Sequence, residues 1–109
     1  MDYKEECKSF IEFLQSHGWD VTETNLDDDI NYPETVDEIV EDMLACDDCN
    51  VWFKKENCVV NTYIVLGNGP GELLCDYAFR RVKQFPEDLK KEFDDITYQW
   101  SLSREEIKI

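Results

Sequence analysis

Cys46 and Cys49 are the one pair of residues in this chain whose spacing is typical of metal or redox chemistry, since two residues separate the thiols. A structural zinc site needs four tetrahedral ligands, usually from two such pairs, and the sequence offers a single pair. A redox pair needs a helix N-terminus or nearby cations to stabilise the thiolate, but here both intervening residues are aspartates. The pair is therefore incomplete for either kind of site. Cys46 and Cys49 are the candidate metal ligands, but we predict that neither a metal nor a cofactor is bound.

The chain also lacks the residues that other common catalytic and ligand-binding motifs require. The chain contains one histidine, His17, at the predicted end of a helix, which removes the usual Ser/His and Cys/His pairs. The acids 27–29 lie in a segment without the glycine that an EF-hand loop requires. The glycine-rich run 67–71 is not followed by the Lys-Ser/Thr of a phosphate-binding P-loop, so it is interpreted as a hairpin loop. We predict that the protein is not an enzyme.

The charge of the chain is strongly acidic and unevenly distributed. Its 109 residues include 26 acids and 11 Lys or Arg, which gives a net charge of -15 and an isoelectric point near 4.2. Residues 1–50 hold 16 of the acids and two bases, and residues 9–53 hold no Lys or Arg. This balance argues against direct binding to nucleic acid or to an anionic membrane, since both require clustered bases. Protein surfaces usually intersperse positive and negative side chains, so a long acidic block without bases indicates binding to a partner protein. The simpler alternative is an acidic face that only contacts solvent.

We expect the acidic block to bind a basic, nucleic-acid-binding protein or nuclease complex. Asp and Glu at helical spacing can replace backbone phosphates, and concentrated negative charge accelerates association with a basic partner. Trp19, Tyr32 and Trp52 are candidate aromatic anchors, although each also fits a core position. The candidate partner-binding residues are Asp27, Asp28, Asp29, Glu34, Asp37, Glu38, Glu41, Asp42, Asp47 and Asp48.

Apolar residues spaced three and four positions apart predict three helices. The first pattern ends at Gly18, a residue type that commonly follows a helix. In the second, Thr35 and Glu38 match a capping box and are expected to satisfy each other's backbone N–H groups. Four candidate contacts in this helix are expected to face solvent, namely Asp37, Glu38, Glu41 and Asp42. The predicted helices cover residues 3–17, 34–46 and about 86–99.

Alternating and β-branched residues predict the strands. A short strand is expected over residues 19–24, and the polar stretch 25–32 is expected to be a loop. Residues 51–55, 58–66 and 73–79 are expected to form three antiparallel strands in meander order, joined by a tight turn and by the glycine-rich run.

These elements predict an α+β fold. The expected core is a three-stranded antiparallel sheet, with room for a fourth short strand, and about three helices packed on one of its faces. The predicted order is α-β-α-β-β-β-α. A chain of this length is the usual size of one domain, so a single domain is expected over residues 1–109.

The sequence shows no sign of export or membrane insertion. Its first ten residues are charged from the second onward and contain no apolar run, and no stretch approaches the ~18 apolar residues of a membrane span. The five cysteines are an odd number, which favours free thiols in a reducing compartment over a disulfide framework. Cys7, Cys58 and Cys75 are expected to be small buried residues. We therefore expect a cytoplasmic protein.

The small size, strong acidity, three tryptophans and α+β pattern resemble phage-encoded anti-defence proteins, the anti-CRISPR and anti-restriction DNA mimics. The resemblance covers composition and the acidic block from Asp20 to Asp48. It implies that the protein works in a host cytoplasm and that its target is a nuclease or surveillance complex. The alternative is an acidic adaptor or immunity-type protein that neutralises a basic partner without imitating nucleic acid. The oligomeric state stays open.

Overall fold

In the residues that the structure describes, one five-stranded antiparallel sheet and three helices make up the fold. The computed structural model describes residues 2–27, 29–67, 69, 71–80 and 87–106. The strands are β1 (Asp20–Leu26), β2 (Asp29–Asn31), β3 (Asp48–Lys55), β4 (Cys58–Val65) and β5 (Leu74–Phe79). The helices are α1 (Tyr3–Ser16), α2 (Val36–Ala45) and α3 (Glu87–Glu106). Neighbouring strands in the sheet follow the order β2-β1-β3-β4-β5.

The structure confirms the α+β class and the meander of β3, β4 and β5, but it corrects the sheet. The three predicted strands and the short fourth strand, β1, all lie in the sheet, but the predicted order α-β-α-β-β-β-α lacks one element, because the stretch predicted as a loop contains a fifth strand, β2. Asp27 takes a left-handed φ of 53°, and beyond this turn Asp29 pairs with Leu26. A strand of three residues at a sheet edge is too short to show an alternating pattern, so the sequence gives no sign of it.

The end of α1 follows the predicted glycine signal. Gly18 has a left-handed φ of 86°, and its N–H donates to the Gln15 carbonyl at 2.9 Å. The Trp19 N–H donates to the Leu14 carbonyl at 3.0 Å, so two carbonyl groups at the helix end are satisfied. This turn directs Trp19 into the core, where it is fully buried.

The two faces of the sheet have different environments. Side chains alternate between buried and half-exposed along β3 and β4, because successive residues of a strand point to opposite faces. One face packs on the apolar sides of the helices, where Phe10, Met43 and Phe93 are fully buried. No element that the structure describes covers the opposite face, which we call the bare face. The molecule is two layers thick, with extents of 41 × 32 × 21 Å. Within the described ranges, no helix has the length and apolarity needed to cross a membrane.

The carboxylate of Glu6 is buried in the helical layer and links three parts of the chain. Its Oε2 accepts hydrogen bonds from the Arg104 guanidinium at 2.7 and 2.8 Å, and its Oε1 accepts the Gly71 N–H at 2.8 Å. Glu6 is 2% exposed, so its oxygens depend on these partners rather than on water. The Ser101 hydroxyl holds Gly71 from the other side by donating to its carbonyl at 2.7 Å. These contacts explain why α3 continues to Glu106, well past its predicted end.

A second polar link joins the opposite end of α1 to β3 and α3. Lys55 Nζ donates to the His17 carbonyl at 2.7 Å and forms an ion pair with Glu92 at 2.5 Å. The indole N–H of Trp19 donates to the same Glu92 carboxylate at 3.2 Å. The link supports the buried indole, because a tryptophan N–H taken out of water needs an acceptor.

Replacing Gly71 by Ala is expected to destabilise the fold by about 2–4 kcal/mol. A Cβ on Gly71 would lie 2.4 Å from the Ser101 carbonyl oxygen, and the φ of 80° is strained for any L residue. Gly67→Ala is the matched control, because Gly67 also has a positive φ but its Cβ would meet only the Tyr3 hydroxyl, at 3.7 Å. The control should lose only about 1 kcal/mol, from backbone strain. Urea unfolding measures both losses, and equal values would contradict the proposed clash.

Candidate functional site

The second helix presents its acids opposite its apolar side. Ile39, Val40 and Met43 are buried, as the spacing predicts, whereas Leu44 from the same predicted stripe is 37% exposed. The acids at positions 37, 38 and 41 are exposed. Consequently the helix covers the core with one side and offers carboxylates to solvent with the other.

The start of α2 is capped, with one difference from the predicted capping box. Thr35 Oγ1 accepts the Glu38 N–H at 3.1 Å, which confirms the first half of the box. Glu38 Oε2 reaches one residue further than predicted and accepts the Glu34 N–H at 3.1 Å. The cap orients the Glu38 carboxylate near the positive end of the helix dipole, where negative charge is stabilising.

Asp42 is the one described candidate that the structure removes from the exposed set. It was expected to face solvent, but its Oδ2 accepts the Thr24 hydroxyl at 2.6 Å and its Oδ1 accepts the Asn31 amide at 3.3 Å. Thr24 is fully buried in β1, and Asp42 is half-buried. Asp42 therefore fastens α2 to β1 and β2, and its charge is largely committed within the fold. No sequence signal predicted this role, because alternation from Val21 would turn Thr24 outward, and the pairing irregularity between Val21 and Glu23 turns it inward.

Four acids converge where α2 ends and β3 begins. The pairing of Asn25 with Asn50 brings the β1–β2 turn beside the first residues of β3. Burial and four surrounding carboxylates together raise the pKa of the Cys46 thiol above its ordinary value. In order of effect, these carboxylates are Asp27, Asp48, Asp47 and Asp29. Residues from two separate segments thus share one small region of negative charge.

Asp48 also contacts the neighbouring strand. The Tyr63 hydroxyl donates to its carboxylate, and this hydrogen bond is the main reason why the pKa of Tyr63 is raised. Asp48 remains exposed, so the contact orients the carboxylate without removing it from solvent.

The structure places most of the predicted contacts on one region along α2 and the adjoining β1–β2 hairpin. Among the described residues, none of these carboxylates forms an ion pair with a basic side chain. Asp28 lies outside the described residues. We call the region the acidic surface, and its exposed members are Asp27, Asp29, Glu34, Asp37, Glu38, Glu41, Asp47 and Asp48.

A shallow cleft lies within this region. It has a volume of about 310 Å³ and is lined by Tyr32, Glu38, Glu41 and Asp42, among others. Tyr32 is 71% exposed, so it does not take the core position that was its alternative. Trp19, by contrast, is fully buried and is no anchor, while Trp52 is half-buried on the bare face.

The pair Cys46 and Cys49 does not present two thiols on one surface. Cys46 is half-buried at the end of α2, whereas Cys49 points into the core from β3, and burial raises its pKa to about 12. In the described part of the chain, no three His, Cys, Asp or Glu side chains are arranged so that they could hold a metal ion. Cys7 and Cys58 are buried as expected, but Cys75 is exposed, because it lies at an irregularity in the pairing of β5.

His17 is occupied by contacts at the end of α1. Its Nδ1 lies 3.0 Å from the Phe13 carbonyl oxygen, and its ring packs on the Phe13 ring at a centroid distance of 4.7 Å. These contacts agree with the expected position of this histidine at a helix end.

Comparisons with known proteins do not extend this description. No protein-family model, curated protein or solved structure matches the chain. The acidic surface and its geometry are therefore the basis for a functional proposal.

Asp42→Ala is expected to lower the free energy of unfolding by about 1.5–3 kcal/mol, because it leaves the buried Thr24 hydroxyl without its charged acceptor. Glu41→Ala is the matched control, since Glu41 is the exposed neighbouring acid of the same helix, and it should change stability by less than about 0.5 kcal/mol. Urea unfolding compares the two variants. Equal stability of Asp42→Ala and the parent protein would show that Asp42 is an ordinary surface acid.

The reactivity of Cys46 is expected to report the convergence of acids around it. In a Cys75→Ser background, replacing Asp27 and Asp47 by Asn should speed alkylation of Cys46 by iodoacetamide about two- to fivefold, because the thiolate is less repelled. Asparagine also tolerates the left-handed backbone of Asp27. Replacing Glu12 and Asp20 by their amides removes the same charge elsewhere and should leave the rate unchanged. Equal acceleration in both variants would mean that only net charge matters.

Proposed function

We propose that this protein is a non-enzymatic inhibitor that uses its acidic surface to occupy the basic, nucleic-acid-binding groove of a partner protein in the cytoplasm. The proposal includes the class of target that the anti-defence resemblance implies, a CRISPR or restriction nuclease complex. The observation that supports it is the acidic surface itself, whose exposed carboxylates lie together without an ion pair to any described base.

The arrangement suits a partner that normally holds a nucleic-acid backbone. Within α2, Glu41 follows Asp37 by four positions and Glu38 by three, and side chains at that spacing on a helix lie about 5–6 Å apart. The acids of the hairpin extend this helical row beyond the end of α2. A groove lined with Lys and Arg gains charge-assisted hydrogen bonds from such a series, and it loses access to DNA or RNA while they persist.

The energetic cost of keeping these acids side by side also supports a retained role. Asp37 and Glu41 are four residues apart, so their like charges cost the helix a few tenths of a kcal/mol. One lysine at either position would replace this repulsion with an attraction. Binding to a basic partner is a reason to keep both acids, and Tyr32 beside them would supply an aromatic contact at the centre of the interface.

Reversing the charge of Asp37 and Glu41 together (D37K and E41K) is expected to abolish capture of the partner while leaving the fold intact. Both side chains are exposed, and neither accepts a hydrogen bond from a described residue. In a pull-down from host lysate at low salt, the parent protein should retain a basic protein that the variant does not. Retention should also fail near 1 M salt, where the Debye length falls to about 3 Å.

The matched control reverses Glu12 and Glu56, two exposed acids outside the acidic surface, which gives the same net charge. This variant should still retain the partner. Duplex DNA or RNA added to the captured partner should release it from the parent protein. Simultaneous binding of this protein and nucleic acid would contradict direct occupation of the groove and would favour an adaptor or immunity-type protein. Undiminished retention of the partner by the D37K and E41K double variant would overturn the electrostatic proposal altogether.

A further inference from the structure

The bare face of the sheet holds a groove that the proposed function does not use. The groove has a volume of about 630 Å³, which is within the range of about 300–1,000 Å³ typical of small-molecule sites. Its lining includes Trp52, Lys54 and Arg80. Two cations beside an aromatic ring in one groove are unexpected in a chain whose net charge is -15.

Strand pairing arranges these residues in two adjacent rows. In the first row, Asn61 of β4 pairs with Trp52 on one side and with Ala78 on the other. In the second row, Val59 pairs with Lys54, and the Arg80 N–H donates to the Val59 carbonyl at 2.9 Å. One row therefore places two small residues beside an indole. The other row places two long cationic side chains on either side of a valine.

The first row forms a place for a planar ring. Asn61 and Ala78 have short side chains, so a planar ring lying over them can pack against the indole of Trp52. Asn61 Oδ1 accepts the Asn50 amide at 3.1 Å, which orients the Asn61 amide and leaves its nitrogen as a donor to a ring acceptor. Among the described residues that line the groove, the one carboxylate is Glu23. It lies on β1 and pairs with Trp52 on the side of β3 that faces away from Asn61.

The second row forms a place for one anion. Strands β3 and β5 are separated by β4, so the backbones of Lys54 and Arg80 lie about 9–10 Å apart, and both side chains are long enough to meet above Val59. Neither cation forms an ion pair with a described carboxylate, although Asp20 lies opposite Lys54 in the sheet. The two rows are about 7 Å apart, the advance of two residues along a strand.

We propose that this groove binds a nucleoside monophosphate, with its base against Trp52 above Asn61 and Ala78 and its phosphate between Lys54 and Arg80. Two cations match the charge of one phosphate. They do not match the repeated phosphates of a nucleic-acid strand, which a chain of net charge -15 repels. The site lies on the bare face and uses none of the residues of the acidic surface, so the two proposals stand or fall separately.

Titration of the ¹⁵N-labelled protein with AMP, GMP, CMP and UMP, followed by NMR, tests the site. We expect at least one nucleotide to shift the indole N–H signal of Trp52 and the side-chain amide of Asn61 saturably, with a Kd below about 1 mM. The indoles of Trp19 and Trp100 are internal controls, because both are buried and hydrogen-bonded. The spectrum of Trp52→Phe assigns the signal.

Lys54→Glu and Arg80→Glu should each weaken binding at least about tenfold, because each removes a charge-assisted contact to the phosphate. Lys91→Glu makes the same change of charge on the exposed side of α3 and should leave the affinity unchanged. Preserved spectral dispersion shows that each variant is folded. The proposal is overturned if no nucleotide gives a saturable shift, or if inorganic phosphate alone or the nucleoside alone binds as tightly as the nucleotide. Undiminished binding by both groove variants overturns it as well.

Discussion

The burial of the Glu6 carboxylate is the constraint on which the arrangement of the helices depends. An ionised carboxylate in a protein interior is costly unless every oxygen is paired, and Glu6 finds its partners in Arg104 and the Gly71 N–H. Both partners are remote in sequence, so α3 has to continue until Arg104 reaches α1. Gly71, which supplies this N–H, lies so close to the Ser101 carbonyl oxygen that a Cβ would not fit. The contacts of one carboxylate therefore join α1 to α3 and to Gly71.

This scaffold separates two surfaces of opposite character. The acids of the β1–β2 hairpin, Asp27 and Asp29, meet those that follow α2, Asp47 and Asp48, around Cys46. The cations Lys54 and Arg80, which form no ion pair with a described carboxylate, lie on the other face, where strand pairing brings them to either side of Val59. A net charge alone would describe neither surface. The distribution follows from which element each residue belongs to and which way that element faces.

Local patterns predicted much of the fold. The apolar spacing of the helices, the glycine after α1 and the β-branched run of β4 are short-range signals that the structure confirms. Strand β2 could not be predicted from short-range signals, because three residues are too few to show an alternating pattern and their pairing depends on the neighbouring β1. The true end of α3 was also hidden, since it depends on the contact of Arg104 with Glu6 rather than on apolar spacing.

The size of the acidic block, its position in the first half of the chain and the helical spacing of its members follow directly from the sequence. Which of these acids reach solvent depends on how the chain packs. Glu6, Glu41 and Asp42 are all acids within predicted helices. In the structure Glu6 is buried, Glu41 is exposed, and Asp42 accepts hydrogen bonds from Thr24 and Asn31. The physical reason is that the state of a carboxylate depends on donors brought to it from distant parts of the chain. Those donors are in place only once the sheet and helices have packed.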